Sequence, residues 1–167
     1  SKIPDGLILS CKGLSLNKNE KSFFSLINPF GFILFSRNFK SLTQLKKLIS
    51  ELKQVTKNPK ILIFVDQEGG RVQRFKNLEF TKFPPQKLFG KIYKNDKKNA
   101  KKLVYYNSRL LSYELKEIGI DVNCSPVLDL YFDYGNKIIG DRSFSSDPKT
   151  VTSLGKEFCR GHKDSGV

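Results

Sequence analysis

An α/β fold with a parallel sheet is what this chain predicts, on three observations. Short apolar runs rich in β-branched and aromatic residues alternate four times with segments of helical periodicity. The helical segments begin at residues suited to capping and end at glycine or proline. The third apolar run, Ile61-Leu62-Ile63-Phe64-Val65, opens without a break into Asp66-Gln67-Glu68-Gly69-Gly70-Arg71-Val72-Gln73-Arg74. A buried strand whose carboxyl end becomes a polar, glycine-containing loop is where α/β folds place ligands.

Taken in order, Gly6–Ser10 reads as the first strand. Asn17 to Ile27 reads as a short helix, with Asn17 as N-cap and Glu20 completing a capping box, stopped by Pro29. Gly31–Phe35 is the second strand, followed by a polar tip at Ser36-Arg37-Asn38. Ser41-Leu42-Thr43-Gln44 is a second capping box. Leu42, Leu45, Leu48, Ile49 and Leu52 fall on one face of the helix it starts, with Lys46, Lys47 and Lys53 off that stripe. Pro59 precedes the third strand. Residues 66–95 are then expected to form a long packed loop around Phe80, Phe83, Pro84-Pro85, Leu88 and Phe89, functional because long loops in compact domains usually are. A helix from Asp96 to Ile118 carries Leu103, Val104, Leu110, Leu111, Leu115 and Ile118, with Gly119 past its end. Asp121–Ser125 is the fourth strand, with Val122 and Cys124 alternating against Asp121, Asn123 and Ser125. A second long loop holds Gly140-Asp141-Arg142-Ser143-Phe144. Asp147-Pro148 begins the last helix, whose apolar side is Val151, Leu154 and Phe158 and whose end is Gly166.

Strand–helix alternation of this kind implies right-handed crossovers and leaves two closures, an open doubly wound sheet or part of a (β/α)8 barrel. No Gly-x-Gly-x-x-Gly follows the first strand and no Gly-Lys-Ser/Thr phosphate loop occurs, which counts against a nucleotide fold. Ser165-Gly166-Val167 reads as the start of a fifth strand. A complete barrel takes ~250 residues, so residues 1–167 are expected to be the front part of one barrel domain, ending before that strand. Such a sector has two open sheet edges and an uncovered apolar face, and is expected to be marginally stable or prone to associate by itself.

Composition narrows the function classes. The 167 residues hold 30 Lys and Arg against 16 Asp and Glu, a net charge of +14. Most of the excess is lysine and it is scattered, whereas a nucleic-acid footprint is a patch or stripe with a recognisable module. No apolar run approaches the ~20 residues that span a bilayer. Ser1–Asp5 shows no secretory signal. Cys11, Cys124 and Cys159 are odd in number and lack metal-ligand spacing, which suits buried thiols in a reducing cytosol.

The residues themselves mark a candidate site. Asp66, at the end of a buried strand, favours a ligand role over capping a turn. Glu68 reads as structural, bonding loop amides or pairing with Arg71. Arg71 and Arg74 either neutralise these carboxylates or meet ligand oxygens with paired donors, and for Arg71 the first reading is preferred. Arg142 reads either as an ordinary surface arginine or, as Gly140 and Asp141 suggest, as one held in a fixed position, with Asp129 as a residue expected to orient it. His162 reads as a packing or solvent-facing residue, Cys124 as a small core residue, and Phe80, Phe83 and Phe89 as loop core rather than a stacking platform.

Gly31–Phe35 with Arg37-Asn38, Val65–Arg74, Pro84-Pro85, Ser125-Pro126-Val127-Leu128-Asp129-Leu130, and Ile139-Gly140-Asp141-Arg142-Ser143-Phe144 with Asp147-Pro148 form a set of ordered motifs spread over nearly the whole chain. Together they resemble glycoside hydrolase family 3, and within it the bacterial cytoplasmic β-N-acetylhexosaminidases of cell-wall recycling. The resemblance implies a (β/α)8 barrel that removes terminal N-acetylglucosamine from muropeptides carrying anhydro-N-acetylmuramic acid, in the cytoplasm, and it implies no cofactor; the composition above leads to the expectation of no metal, nucleic acid or membrane partner. It implies that Asp66 binds hydroxyls of the non-reducing sugar and that Arg74 and Arg142 are sugar-binding arginines. The family's Lys-His-Phe-Pro-Gly-His-Gly segment, its catalytic Asp–His loop and the strand with its nucleophilic aspartate have no counterpart within these residues. Catalytic residues are therefore expected beyond Val167. A non-catalytic sugar-binding protein of this family is the alternative reading, and a basic nucleic-acid-binding protein a more distant one.

Overall fold

The computed structural model describes residues 5–27, 29–77 and 79–167. Ser1–Pro4, part of the stretch read as free of a secretory signal, lie outside them. Four parallel strands form the main sheet: β1 (Asp5–Leu9), β2 (Pro29–Leu34), β3 (Leu62–Val65) and β6 (Val122–Asn123). They lie side by side in chain order, with Gly31–Leu34 beside Leu62–Val65 and Phe64–Val65 beside Val122–Asn123. A doubly wound sheet reverses its strand order at a switch point. No reversal occurs among the described residues, so the sheet is a sector of a barrel, not closed within this chain.

Four of the five α-helices among the described residues begin at a side-chain cap. In α1 (Lys18–Leu26) Asn17 accepts from the Glu20 N–H at 2.9 Å while Glu20 accepts from the Asn17 N–H at 3.0 Å. In α2 (Leu42–Val55) Ser41 accepts from the Gln44 N–H, but the Gln44 side chain reaches back to Lys40 rather than Ser41, one residue further than a capping box requires. Leu45, Leu48, Ile49 and Leu52 are buried on the sheet, at roughly 1.5–3 kcal/mol each. They join Phe32, Leu34, Ile63 and Val65, and Leu111, Leu115 and Ile120 close the cluster.

In place of the single loop expected over residues 66–95 there are three elements. β4 (Gln67–Gly69) and β5 (Val72–Gln73) make an antiparallel pair, and α3 (Gln86–Asn95) follows. The hairpin turns on Gly69 and Gly70, at φ +98° and +56°, where side chains are disfavoured. A Cβ on Gly69 would also lie 2.5 Å from the Pro84 carbonyl oxygen. Phe75, Phe80 and Phe83 are buried beneath the hairpin, as loop core, and Phe89 packs in a second cluster. That cluster lies among α3, α4 (Lys97–Glu117) and α5 (Pro148–Ser165), with Val104, Phe144, Leu154 and Phe158 at its centre. Asp96 and Asp147 cap α4 and α5, and Gly166 ends α5 at φ +82°. Leu103 and Leu110, expected on the apolar side of α4, are 40% and 46% exposed, because the buried stripe runs through Ala100, Val104, Ser108, Leu111 and Leu115 instead.

Among the described residues β1 and β6 each pair on one side only. Leu7, Ile8 and Phe30 are about half exposed near the β1 edge, and Leu128, Leu130, Val151, Gly155 and Cys159 line an apolar groove of about 580 Å³. No helix among the described residues is long and apolar enough to cross a membrane.

Candidate functional site

Three ion pairs gather where β3 gives way to the hairpin. Asp66 follows the last residue of β3, and its Oδ2 accepts from Arg74 Nη2 at 2.8 Å across the hairpin. Both side chains stay partly accessible. The Arg74 guanidinium lies 5.6 Å from the centre of the Phe35 ring, and its Nε is shielded with no hydrogen-bond partner among the described residues. Glu68 is 4% exposed and is gripped by Arg142 through two parallel bonds, Nε to Oε2 at 2.8 Å and Nη2 to Oε1 at 2.7 Å. Such forked pairs fix geometry as well as charge. Glu68 holds the Arg142 proton more firmly than usual, and Asp129 and Asp66 add to that effect. Arg71 Nε donates to Asp141 Oδ1 at 2.9 Å, and its Nη2 reaches the carbonyls of Lys137 and Ile138.

The pairing differs from the sequence-based expectation at Glu68, whose partner is Arg142 rather than Arg71. The hairpin turns Arg71 toward the 3-10 turn at Gly140–Arg142, which carries Asp141, and leaves Glu68 facing inward. The charge of Asp129 acts on Arg142, but its side chain is exposed and its carbonyl, not its carboxylate, is fixed, by the Ser143 hydroxyl at 2.6 Å. Asp66, Arg74, Glu68 and Arg142 thus share one end of the sheet, tied to Arg71 and Asp141 through adjacent residues.

Cys124 is not a core residue. It is exposed, and burial of part of the side chain, then the charge of Asp66 and a hydrogen bond to its carboxylate, push its thiol up from the usual range. The alternation of strand β6 is inverted relative to expectation: Asn123 is the buried member and Cys124 faces the carboxylates. Cys159 is exposed too, so of the three thiols only Cys11 is buried; burial raises it to about 11. His162 is a packing residue, 6% exposed and stacked on Phe158 with ring centres 4.7 Å apart.

Two residues that the sequence reading passed over hold the site together. Gln67 places its Oε1 on the N–H groups of Arg74 (2.7 Å) and Phe75 (3.1 Å). Asn123 accepts from the Gln67 N–H and donates to the Gln67 carbonyl, both at 2.9 Å. The only signal for Asn123 was its polarity within a strand; for Gln67 there was its place beside Asp66.

What fold and geometry define together is a sector of a parallel α/β barrel with charged residues gathered at the carboxyl ends of its strands. The chain belongs to glycosyl hydrolase family 3: residues 11–167 match the model of that family's N-terminal domain. It is 40% identical over 164 residues to the beta-hexosaminidase of Hydrogenovibrio crunogenus, covering 96% of this chain and 44% of that protein. Its structure resembles NagZ from Neisseria gonorrhoeae in complex with N-trifluoroacetyl-D-glucosamine, with a TM-score of 0.89 and 38% identity over 99% of this chain and 49% of that one. A family 3 beta-N-acetylglucosaminidase from Paenibacillus sp. is similar over 96% of this chain, at 32% identity and a TM-score of 0.85. The chain therefore spans under half the length of these relatives.

Proposed function

We propose that these residues form the substrate-binding half of a β-N-acetylhexosaminidase, one that hydrolyses terminal β-linked N-acetylglucosamine from muropeptides in cytoplasmic cell-wall recycling. In this reading residues 1–167 are the N-terminal part of a single (β/α)8 domain that ends before its fifth strand. The observation that carries it is the Asp66–Arg74 pair, partly open at the end of β3 and backed by the forked Glu68–Arg142 pair. A carboxylate that accepts from sugar hydroxyls, beside guanidiniums that donate to ring substituents, is a donor–acceptor set suited to a saccharide. The similarity to beta-hexosaminidases supports the substrate class.

Glycoside hydrolysis needs one group to protonate the leaving oxygen and another to attack the anomeric carbon or activate water. Asp66, Glu68 and Asp141 are each engaged by an arginine, so they are assigned to binding and support. The acid and the nucleophile are assigned to residues outside this chain, and no cofactor enters the reading.

The test is a titration of the chain with N-acetylglucosamine alongside hydrolysis of p-nitrophenyl N-acetyl-β-D-glucosaminide. Saturable binding in the millimolar range without turnover is expected, and Asp66→Ala is expected to weaken binding at least tenfold. Turnover by this chain, or equal affinity in Asp66→Ala, contradicts the proposal.

A further inference from the structure

We infer that His162, near the C-terminal end of α5, is a positioning residue for the Asp66–Arg74 pair and acts through Asn123 and Gln67. The inference rests on the reading that this pair binds the sugar. His162 does not touch either residue. It is joined to them by a continuous hydrogen-bonded path through the buried interior, and each link in that path has a defined direction.

The path starts between α4 and α5, which approach closely because Gly161 has no side chain. A Cβ there would lie 2.6 Å from the Tyr105 carbonyl oxygen and 2.8 Å from Ser108 Oγ. Ser108 Oγ donates its hydrogen to the Phe158 carbonyl. That hydroxyl can then only accept from His162 Nδ1, 2.6 Å away, so the imidazole proton sits on Nδ1. Nε2 is left with a lone pair, and Asn123 Nδ2 donates to it at 2.9 Å. Neutral imidazole is what the site holds, since burial pulls the His162 pKa down to about 4.

At the far end, the Asn123 amide is an extension of the sheet. Cys124 N–H binds the Val65 carbonyl at 2.8 Å, and the Asn123 side chain then takes both the N–H and the C=O of Gln67. The Asp66 backbone lies between these two attachment points. Gln67 in turn holds the Arg74 N–H through its own side chain. Rotation of the Asn123 amide would release Gln67 from both bonds, and with it the spacing of Asp66 from Arg74. Asn123 Nδ2 has two hydrogens for three acceptors, Gln67 O, His162 Nε2 and Ser125 Oγ at 3.1 Å. Gln67 O takes one hydrogen; without the histidine acceptor the other is left with Ser125 Oγ alone, the longer contact at 3.1 Å, so the amide is held less firmly against rotation. An apolar residue at position 162 would fill the space against Phe158 without supplying that acceptor. The role is therefore one of direction, not of volume.

The test is amide hydrogen exchange in the chain without ligand, comparing wild type with His162→Met and His162→Gln. Exchange at Gln67 is expected to rise tenfold or more in His162→Met, with Leu48 and Ile49 of α2 unchanged. His162→Gln, whose amide carries an acceptor and a donor, is expected to restore most of the protection. N-acetylglucosamine affinity is expected to fall at least threefold in His162→Met and to recover in His162→Gln. Unchanged Gln67 exchange in folded His162→Met overturns the inference, as does failure of glutamine to restore it. Should His162→Met not fold, Ser108→Ala decides: severalfold faster Gln67 exchange supports the path, and unchanged exchange overturns it. Absence of sugar binding by every protein would remove the sugar-site reading, while the exchange data would still judge the network.

Discussion

Arg142→Ala is expected to destabilise the chain by about 3–5 kcal/mol, the usual consequence of removing one partner from a buried ion pair. Glu68 is 4% exposed and both of its oxygens are satisfied by Arg142. Without the guanidinium a charge would remain out of water with nothing to offset its desolvation. For a chain of this size that corresponds to a fall in melting temperature of roughly 6–20 °C. The deficit should shrink on acidification, because a buried carboxylate that has lost its cation is protonated more readily in the folded than in the unfolded state. Replacing both partners, as Glu68→Leu with Arg142→Met, is expected to be far milder than Arg142→Ala, since an apolar pair carries no desolvation cost. Thermal denaturation at pH 7 and pH 5 checks all three. A loss below 1 kcal/mol in Arg142→Ala would mean that Glu68 is not buried as described.

The second large effect is on pH. The His162 pKa is lowered from 6.5 to about 4, chiefly by burial, with the Phe158 carbonyl opposing in part. Between those values the unfolded chain binds a proton that the folded chain does not. Stability therefore rises with pH across this window, is complete above about 6.5, and is lost as pH falls toward 4. At 1.36 kcal/mol per unit, the histidine alone removes about 3 kcal/mol between neutral pH and pH 4. Denaturant unfolding at half-unit steps, in wild type and His162→Met, isolates the contribution. The wild-type slope between pH 6.5 and 4 should exceed that of the variant. Parallel slopes would mean that His162 is protonated in the folded state.

Much of the fold was legible in the sequence because its signals are local. Asn17 and Glu20, Ser41, Asp96 and Asp147 cap helices through their own side chains, and Ile63–Val65 form a strand buried as its composition requires. The hairpin and α3 were less legible. Pro85 starts α3 without a side-chain cap, and strands of three and two residues are too short to show a period. Asp66, Arg74 and Arg142 were singled out by motif, but their partners were set by tertiary structure. Glu68 meets Arg142 across 74 residues, a distance no spacing rule spans. Cys124 and Asn123 exchanged their expected sides because the inner face of β6 carries an amide that continues the sheet, where an apolar residue was expected. His162 could be recognised as packed, but its two ring nitrogens acquire their partners only once α4 and α5 meet.

We propose that sugar is held at the carboxyl end of β3 by Asp66, Arg74 and Arg142. It is tested most directly by mapping N-acetylglucosamine binding through nitrogen-15 and proton shifts, including the arginine Nε–H groups. Saturable shifts are expected at Gln67, Glu68, Cys124 and the Nε–H of Arg74 and Arg142, all with one dissociation constant. Shifts confined to other surfaces, such as the groove at Leu130, Val151 and Gly155, or no saturable shifts at all, would contradict it.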